Sequence, residues 1–219
     1  MIRLHHVPLT RSFRGLWLLE ELGLDFEVKH YSIRDGSLRD PTYLALSPLG
    51  RVPALEIGDE VICESGAIVQ VLCERHPGPG LAPAPNDTER ARFLECFGIA
   101  ETMASLLENL NMQHLFLRDP SQASPAVIKL TTARLRASLA MLEDMLRGRE
   151  HLLDQGFGAA DVMMASNLLL VPYYVRLNEF PGIQAYQARM AERAGYQRAV
   201  ARDGQQDMFT RDFYPVPEG

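Results

Sequence analysis

The chain has 219 residues, 47% of them hydrophobic, and a formal net charge of −6 at pH 7. That length suits two modest domains, and an acidic chain with no basic block argues against a nucleic-acid partner, which needs a cationic face. Three cysteines (Cys63, Cys73, Cys96) without a C-x-x-C pair, and six histidines without H-x-x-x-H spacing, argue against a disulfide framework and a metal site.

Met1 leads straight into a strand-like segment rather than a targeting leader, and no apolar run reaches the roughly 18 residues of a membrane span. A reducing, cytoplasmic setting is therefore expected. Residues 2–7 read as a short buried strand, with His5 and His6 on opposite faces. The turn Leu9-Thr10-Arg11-Ser12-Phe13-Arg14 follows, two hydroxyls and two guanidinium groups in six residues. Residues 13–23 place apolar side chains at helical spacing and stop at Gly23, a natural C-terminal cap. FEVKHYSI, residues 26–33, alternates as a half-buried strand does. A loop leads to a short helix, PTYLALS, with Pro41 in its first turn. PALEI and VICE then bracket Gly58-Asp59, a two-residue hairpin turn. SGAIVQVLCERH closes this half as a helix.

The order β-α-β-α-β-β-α is the thioredoxin-like arrangement. PGPGLAPAPN, residues 77–86, holds four prolines and two glycines and ends it. Beyond lie helical patterns at 88–118, 125–147, 159–177, 182–193 and 196–202, then an irregular aromatic tail. The fold class is thus α/β plus all-α. The expected division is a domain at 1–78, a linker at 79–87 and an all-helical domain at 88–219.

Two motifs of the first half carry chemistry. In CESGAI, residues 63–68, Glu64 ends a strand and Ser65 begins a helix. Ser65 as a plain helix cap is one reading. The other is a site where free N–H groups and a hydroxyl take a carboxylate while Glu64 takes the adjoining ammonium, which suits an α-amino acid head group. In SPLGRVPAL, residues 47–55, Val52-Pro53 enters a strand. The sequence does not select the isomer of that bond. If it is cis, Val52 offers its backbone to an extended peptide, with Arg51 near a second anion; the alternative is an ordinary turn.

LGRVPAL followed by ESGAI, together with GLWLLEELGLDFE, resembles the glutathione-binding domain of soluble glutathione S-transferases. FGAADVMMAS stands where that family's helical domain has its buried capping motif, so the similarity spans the chain to about residue 204. Gly158 departs from the Ser or Thr that the family often has there, with Asp161 three residues on. The resemblance implies that Glu64 and Ser65 hold the γ-glutamyl head and that Val52, before a cis Pro53, pairs with the cysteinyl unit. It also implies that Arg51 sits near the glycyl carboxylate.

The family activates the sulfur with Tyr, Ser/Thr or Cys near the first strand-helix turn. Here the first tyrosine is Tyr31 and the first cysteine Cys63, so Thr10 and Ser12 remain. The turn is similar to the S-R-S-x-R turn of bacterial and fungal members. Thr10 is the first choice as thiolate partner. Ser12 is second, because it also reads as the helix cap. Arg11 stands between a sulfur-side charge and solvent, and Arg14 reads as a structural or interface residue.

The resemblance further implies an electrophile pocket, for which Leu9, Met103, Leu107, Phe116 and Tyr173 are candidates, each with plain core as the alternative. It implies a homodimer in which Glu101 reaches the neighbouring subunit's glutathione amine, with a solvated helix face as the alternative for Glu101. It implies glutathione as co-substrate, a small hydrophobic electrophile, no tightly bound cofactor or metal, and a role in detoxification. A glutathione-dependent peroxidase or disulfide reductase, and a non-catalytic binding protein of the same fold, are the alternatives.

Overall fold

A computed structural model describes residues 1–217. Its contacts group residues 1–84 with 191–208 as one unit, and residues 85–190 with the segment from Phe209 onward as another.

In the first unit β1 (Ile2–His6) pairs in parallel with β2 (Glu27–His30) and antiparallel with β3 (Ala54–Ile57). β3 in turn pairs antiparallel with β4 (Glu60–Cys63), giving the strand order β2-β1-β3-β4. A parallel pair needs a crossover, which α1 (Ser12–Leu22) supplies. α1 ends as its sequence requires: Gly23 takes φ 64° and Leu24 N–H donates to Leu19 O at 3.3 Å. α2 (Pro41–Leu46) is capped by Asp40, and α3 (Ser65–Arg75) follows the hairpin.

β1 is buried on both faces. Leu4 packs against Gly15 of α1, where an added Cβ would lie 3.4 Å from Leu4 Cδ1 and 3.6 Å from Ile68 of α3. His5 faces the other way, its ring 5.6 Å from Tyr31 and 5.4 Å from Tyr43. Val7, Tyr31, Tyr43 and Ala54 form the core on that side.

α8 (Ala194–Asp203) also belongs to this unit and lies along α1. Trp17 and Phe13 meet Tyr196 edge-on at 5.0 and 5.8 Å. Arg193 grips Glu21 through two hydrogen bonds of 2.9 Å, and Arg198 and Arg202 each reach Glu20 at 2.8 Å. The sequence reading placed residues 88–219 together, so this helix differs from expectation. Its surface is so rich in arginine that it reads as solvated, whereas those arginines are its means of docking on two carboxylates.

The second unit contains α4 (Arg90–Asn111), α5 (Pro125–Met145), α6 (Ala159–Leu168) and α7 (Pro181–Ala191). The helix expected over 159–177 stops at Leu168. Pro172 explains this: it has no N–H for the carbonyl four residues back, and its ring crowds that carbonyl. The helix expected to reach 118 ends at Asn111 and passes into a π turn, Met112–Phe116. α6 is buried along its whole length. At its start Asp161 accepts from Gly158 N–H (2.9 Å), Leu152 N–H (3.0 Å) and the Tyr186 hydroxyl (2.8 Å). Burial raises the Asp161 carboxyl above the usual carboxylate range, against the pull of those three donors.

The aromatic tail is not loose. Phe209 stacks on Tyr173 at 3.8 Å, Tyr214 N–H donates to Tyr173 O at 2.8 Å, and Arg176 lies 4.1 Å over the Phe213 ring.

Candidate functional site

The turn after β1 is built by hydrogen bonds from side chain to backbone. Leu9 takes φ 56° and Glu64 φ 71°, left-handed values unusual for residues with a Cβ. Each costs on the order of 1–3 kcal/mol and persists only where the surroundings impose it. Leu9 is held because its N–H donates to both carboxylate oxygens of Asp203, at 3.2 and 3.3 Å.

Thr10 Oγ1 is 2.9 Å from Val7 O, 2.8 Å from Ser12 Oγ, and accepts Ser12 N–H at 3.3 Å. Thr10 is half-buried, while Ser12 is fully buried. Ser12 does not cap α1. It is the first helical residue, and Arg11, half-buried, occupies the cap position without a side-chain cap bond. The Ser12 hydroxyl turns inward instead, 2.7 Å from His6 Nδ1, and accepts Val7 N–H at 3.2 Å.

A proton count separates the two hydroxyls. His6 Nε2 faces only acceptors, the carbonyl oxygen of Asp203 at 3.1 Å and its Oδ1 at 3.1 Å. With a single proton on the ring, that proton sits on Nε2 and Nδ1 accepts. Ser12 Oγ lies closer to that nitrogen, at 2.7 Å, than to its other acceptor, Val7 O at 3.2 Å, so its single proton points to Nδ1. The Thr10 proton has a choice of partners, so Thr10 can donate to an incoming atom.

At the second motif the cap reading is again displaced. Glu64 holds the N-cap position of α3 and Ser65 is its first residue, its hydroxyl accepting from buried Arg14 at 2.9 Å. This gives Arg14 its role: it joins α1 to the start of α3, a link that spacing alone does not reveal. Ser65 is buried and Glu64 exposed, so the two differ in reach. The Val52–Pro53 peptide bond is cis. Arg51 is exposed, and its carbonyl accepts from Tyr43 Oη (2.6 Å) and Ser47 Oγ (2.9 Å), fixing the loop before the cis bond. Gly50, at φ 60°, cannot be replaced there: an added Cβ would lie 2.8 Å from Leu38 O. Val52 is half-buried and Pro53 buried.

The structure divides the remaining candidates. Leu9, Phe116 and Tyr173 are half-buried, but Met103 and Leu107 are closed to solvent in the buried stripe of α4 that also includes Phe93, Cys96, Ala100 and Leu110. A helical period marks them as core, and this outcome follows from it. Glu101 lies half-buried on the same helix. Burial pushes the Cys96 thiol up to about 11, which makes it inert as a nucleophile. Among the described residues no three His, Cys, Asp or Glu side chains cluster as metal ligands. No described helix is long and apolar enough to cross a membrane. Sequence reasoning missed His6 and Asp203, which lie 197 residues apart and meet in space.

Residues 1–73 match the glutathione S-transferase N-terminal domain. Among similar proteins, glutathione S-transferase 3 of Schizosaccharomyces pombe is 30% identical over 75% of this chain and 72% of its own length. A maleylacetoacetate isomerase of Pseudomonas aeruginosa is 31% identical over 80% of this chain and 84% of its own. A solved glutathione S-transferase from Actinobacillus pleuropneumoniae is 28% identical, superimposes with a TM-score of 0.79, and covers 98% of this chain and 100% of that one.

Proposed function

The chain belongs to the glutathione S-transferase family, and from that premise we propose that Thr10 holds the glutathione sulfur as a thiolate for attack on small hydrophobic electrophiles. The observation that carries this is the proton count at the turn. Of the two candidate hydroxyls, only Thr10 has a hydrogen not already taken by a buried imidazole. A thiol near pKa 8.5 is mostly protonated at neutral pH, and only its thiolate attacks electrophiles. A charge-assisted bond from Thr10 favours the thiolate, and the N-terminal end of α1 adds its partial positive charge.

In this reading Glu64 takes the ammonium of the γ-glutamyl head, and Ser65 with the first N–H groups of α3 takes its carboxylate. Ser65 is held for that task by Arg14. Val52, ahead of the cis Pro53, pairs with the cysteinyl backbone, and Arg51 faces the glycyl carboxylate. Holding the tripeptide at these points orients the sulfur and leaves the reacting atom free. Phe116 and Tyr173 are the aromatic side chains proposed to meet the electrophile, with Leu9. A homodimer involving Glu101, and a cytoplasmic setting, complete the proposal.

The experiment is retention on immobilised glutathione followed by conjugation of an aryl halide. Binding and turnover are expected. A protein that neither binds glutathione nor is eluted by it would overturn the reading.

A further inference from the structure

Behind Thr10 the hydrogen bonds continue inward, with the Val7 carbonyl beside both hydroxyls at 2.9 and 3.2 Å. Ser12 Oγ lies 2.8 Å from Thr10 Oγ1 and 2.7 Å from His6 Nδ1, and His6 Nε2 lies 3.1 Å from Asp203 Oδ1. His6 and Ser12 are 0% exposed, and the Asp203 side chain is 15% exposed. The chain of groups thus runs from a half-buried hydroxyl to a sealed imidazole backed by a carboxylate. The other titratable group against His6 is His30 of β2, whose ring stands edge-on at 5.3 Å and whose Nε2 faces the carbonyls of Arg202 and Asp203.

With one proton on His6, Nε2–H donates to Asp203, Ser12 donates to Nδ1, and Thr10 can donate to Ser12 or to Val7 O. This arrangement is a proton path with an empty acceptor at its end. It has the carboxylate, imidazole, hydroxyl order of serine hydrolases, lengthened by one hydroxyl.

We propose that Ser12, His6 and Asp203 form a relay that takes the glutathione thiol proton through Thr10 and keeps it on His6. The proposal rests on the reading of Thr10 as the sulfur-facing group. The S–H bond breaks, its electron pair stays on sulfur, and the proton passes to Thr10 Oγ1. Thr10 gives its own hydrogen to Ser12 Oγ, and Ser12 gives its own to His6 Nδ1, where the new N–H bond forms. His6 becomes an imidazolium against Asp203, and no proton leaves the protein. The three bonds along which the proton passes reverse direction, while Nε2–H still donates to Asp203. Thr10 now donates to the thiolate, Ser12 donates to Thr10, and each bond polarises the next. The Asp203 carboxylate favours the imidazolium, and the new bond favours the thiolate. Ser12, His6 and Asp203 touch no substrate in this scheme; they position and relay.

The test counts protons. Glutathione is bound to the wild-type protein in weak buffer at about pH 7.5, where a free thiol is mostly protonated and a free imidazole mostly neutral. Thiolate is read by its ultraviolet absorbance and released protons by an indicator dye. S-methylglutathione, which lacks the thiol, supplies the blank. The relay requires far fewer than one proton released per thiolate formed. One proton released per thiolate in the wild type overturns it, and this measurement needs no variant of the buried histidine. Ser12→Ala and His6→Gln, if folded, are expected to raise the ratio to one. Asp203→Asn, at the partly exposed end of the chain of groups, is expected to move it towards one, and an unchanged ratio would remove Asp203 from the scheme. Thr10→Ala separates the two readings. Thiolate formed undiminished in that variant refutes Thr10 as the sulfur partner. Thiolate lost in Thr10→Ala, with full proton release in the wild type, refutes the relay alone.

Discussion

Replacing Thr10 by alanine removes one oxygen and with it three contacts, to Val7 O, Ser12 Oγ and Ser12 N–H. The loss at the helix start is modest, about 1 kcal/mol, because only the first N–H of α1 is released. The loss at the sulfur is larger. A hydrogen bond to a charged group contributes about 1.5–3 kcal/mol, and one pKa unit corresponds to about 1.4 kcal/mol. The bound thiol is therefore expected to rise by about 1–2 units. The acid limb of the kcat/KM profile against pH should move up by the same amount, so that at fixed pH below it the rate falls roughly 10–100-fold. Glutathione affinity should change little, since the groups proposed to hold the peptide are elsewhere. Thr10→Ser returns the hydroxyl and should recover most of the rate. An acid limb that stays in place in Thr10→Ala would refute the assignment, whatever happened to the overall activity.

Two further expectations concern stability. Asp161→Ala strands three buried donors, the N–H groups of Leu152 and Gly158 and the hydroxyl of Tyr186. At about 1–3 kcal/mol each, less the relief of no longer burying a carboxylate, the expected loss is about 3–5 kcal/mol. Chemical denaturation measures it, and a loss under about 1 kcal/mol would contradict the accounting. His5 accepts from Tyr31 Oη and donates to Glu56 Oε1, each at 2.8 Å, and burial lowers its pKa despite Glu56. The unfolded chain then takes up the proton first, so stability should fall as pH drops below the ordinary imidazole value of about 6.5. His5→Gln keeps both hydrogen bonds without titrating, and should flatten that decline by up to about 1.4 kcal/mol per pH unit. Parallel curves for the two proteins would show that His5 is not the source.

The fold was legible because its signals are local. Gly23 stops α1, Gly58-Asp59 turns the hairpin, and the proline-rich segment at 77–86 breaks the chain. Pro172 was equally visible, yet the apolar run around it hid the end of α6. The site was legible only in part. Thr10, Glu64 and Ser65 lie in recognisable motifs, but what separates Thr10 from Ser12 is a histidine on the preceding strand. Hydrogen-bond direction depends on what lies behind a side chain, and a sequence does not carry that. Asp203 was invisible for a further reason. A lone acidic residue at the end of an arginine-rich helix looks like solvent-exposed surface, and nothing in its neighbours points to Leu9 or His6.

The docking of α8 on α1 also bears on how the protein is made. Residue 194 is translated 110 residues after residue 84 (194 − 84 = 110). At about 5–20 residues per second the ribosome needs roughly 5–20 s to cover that distance. Through that interval the nascent sheet unit has emerged with Phe13 and Trp17 uncovered on one flank and Glu20 and Glu21 without their arginines. The Leu9 turn likewise waits for its carboxylate. The turn proposed to face the glutathione sulfur is therefore completed by a segment synthesised long after it, and a chain that stalls or is clipped before residue 194 would carry every residue of the CESGAI and SPLGRVPAL motifs yet lack the brace that shapes the first turn.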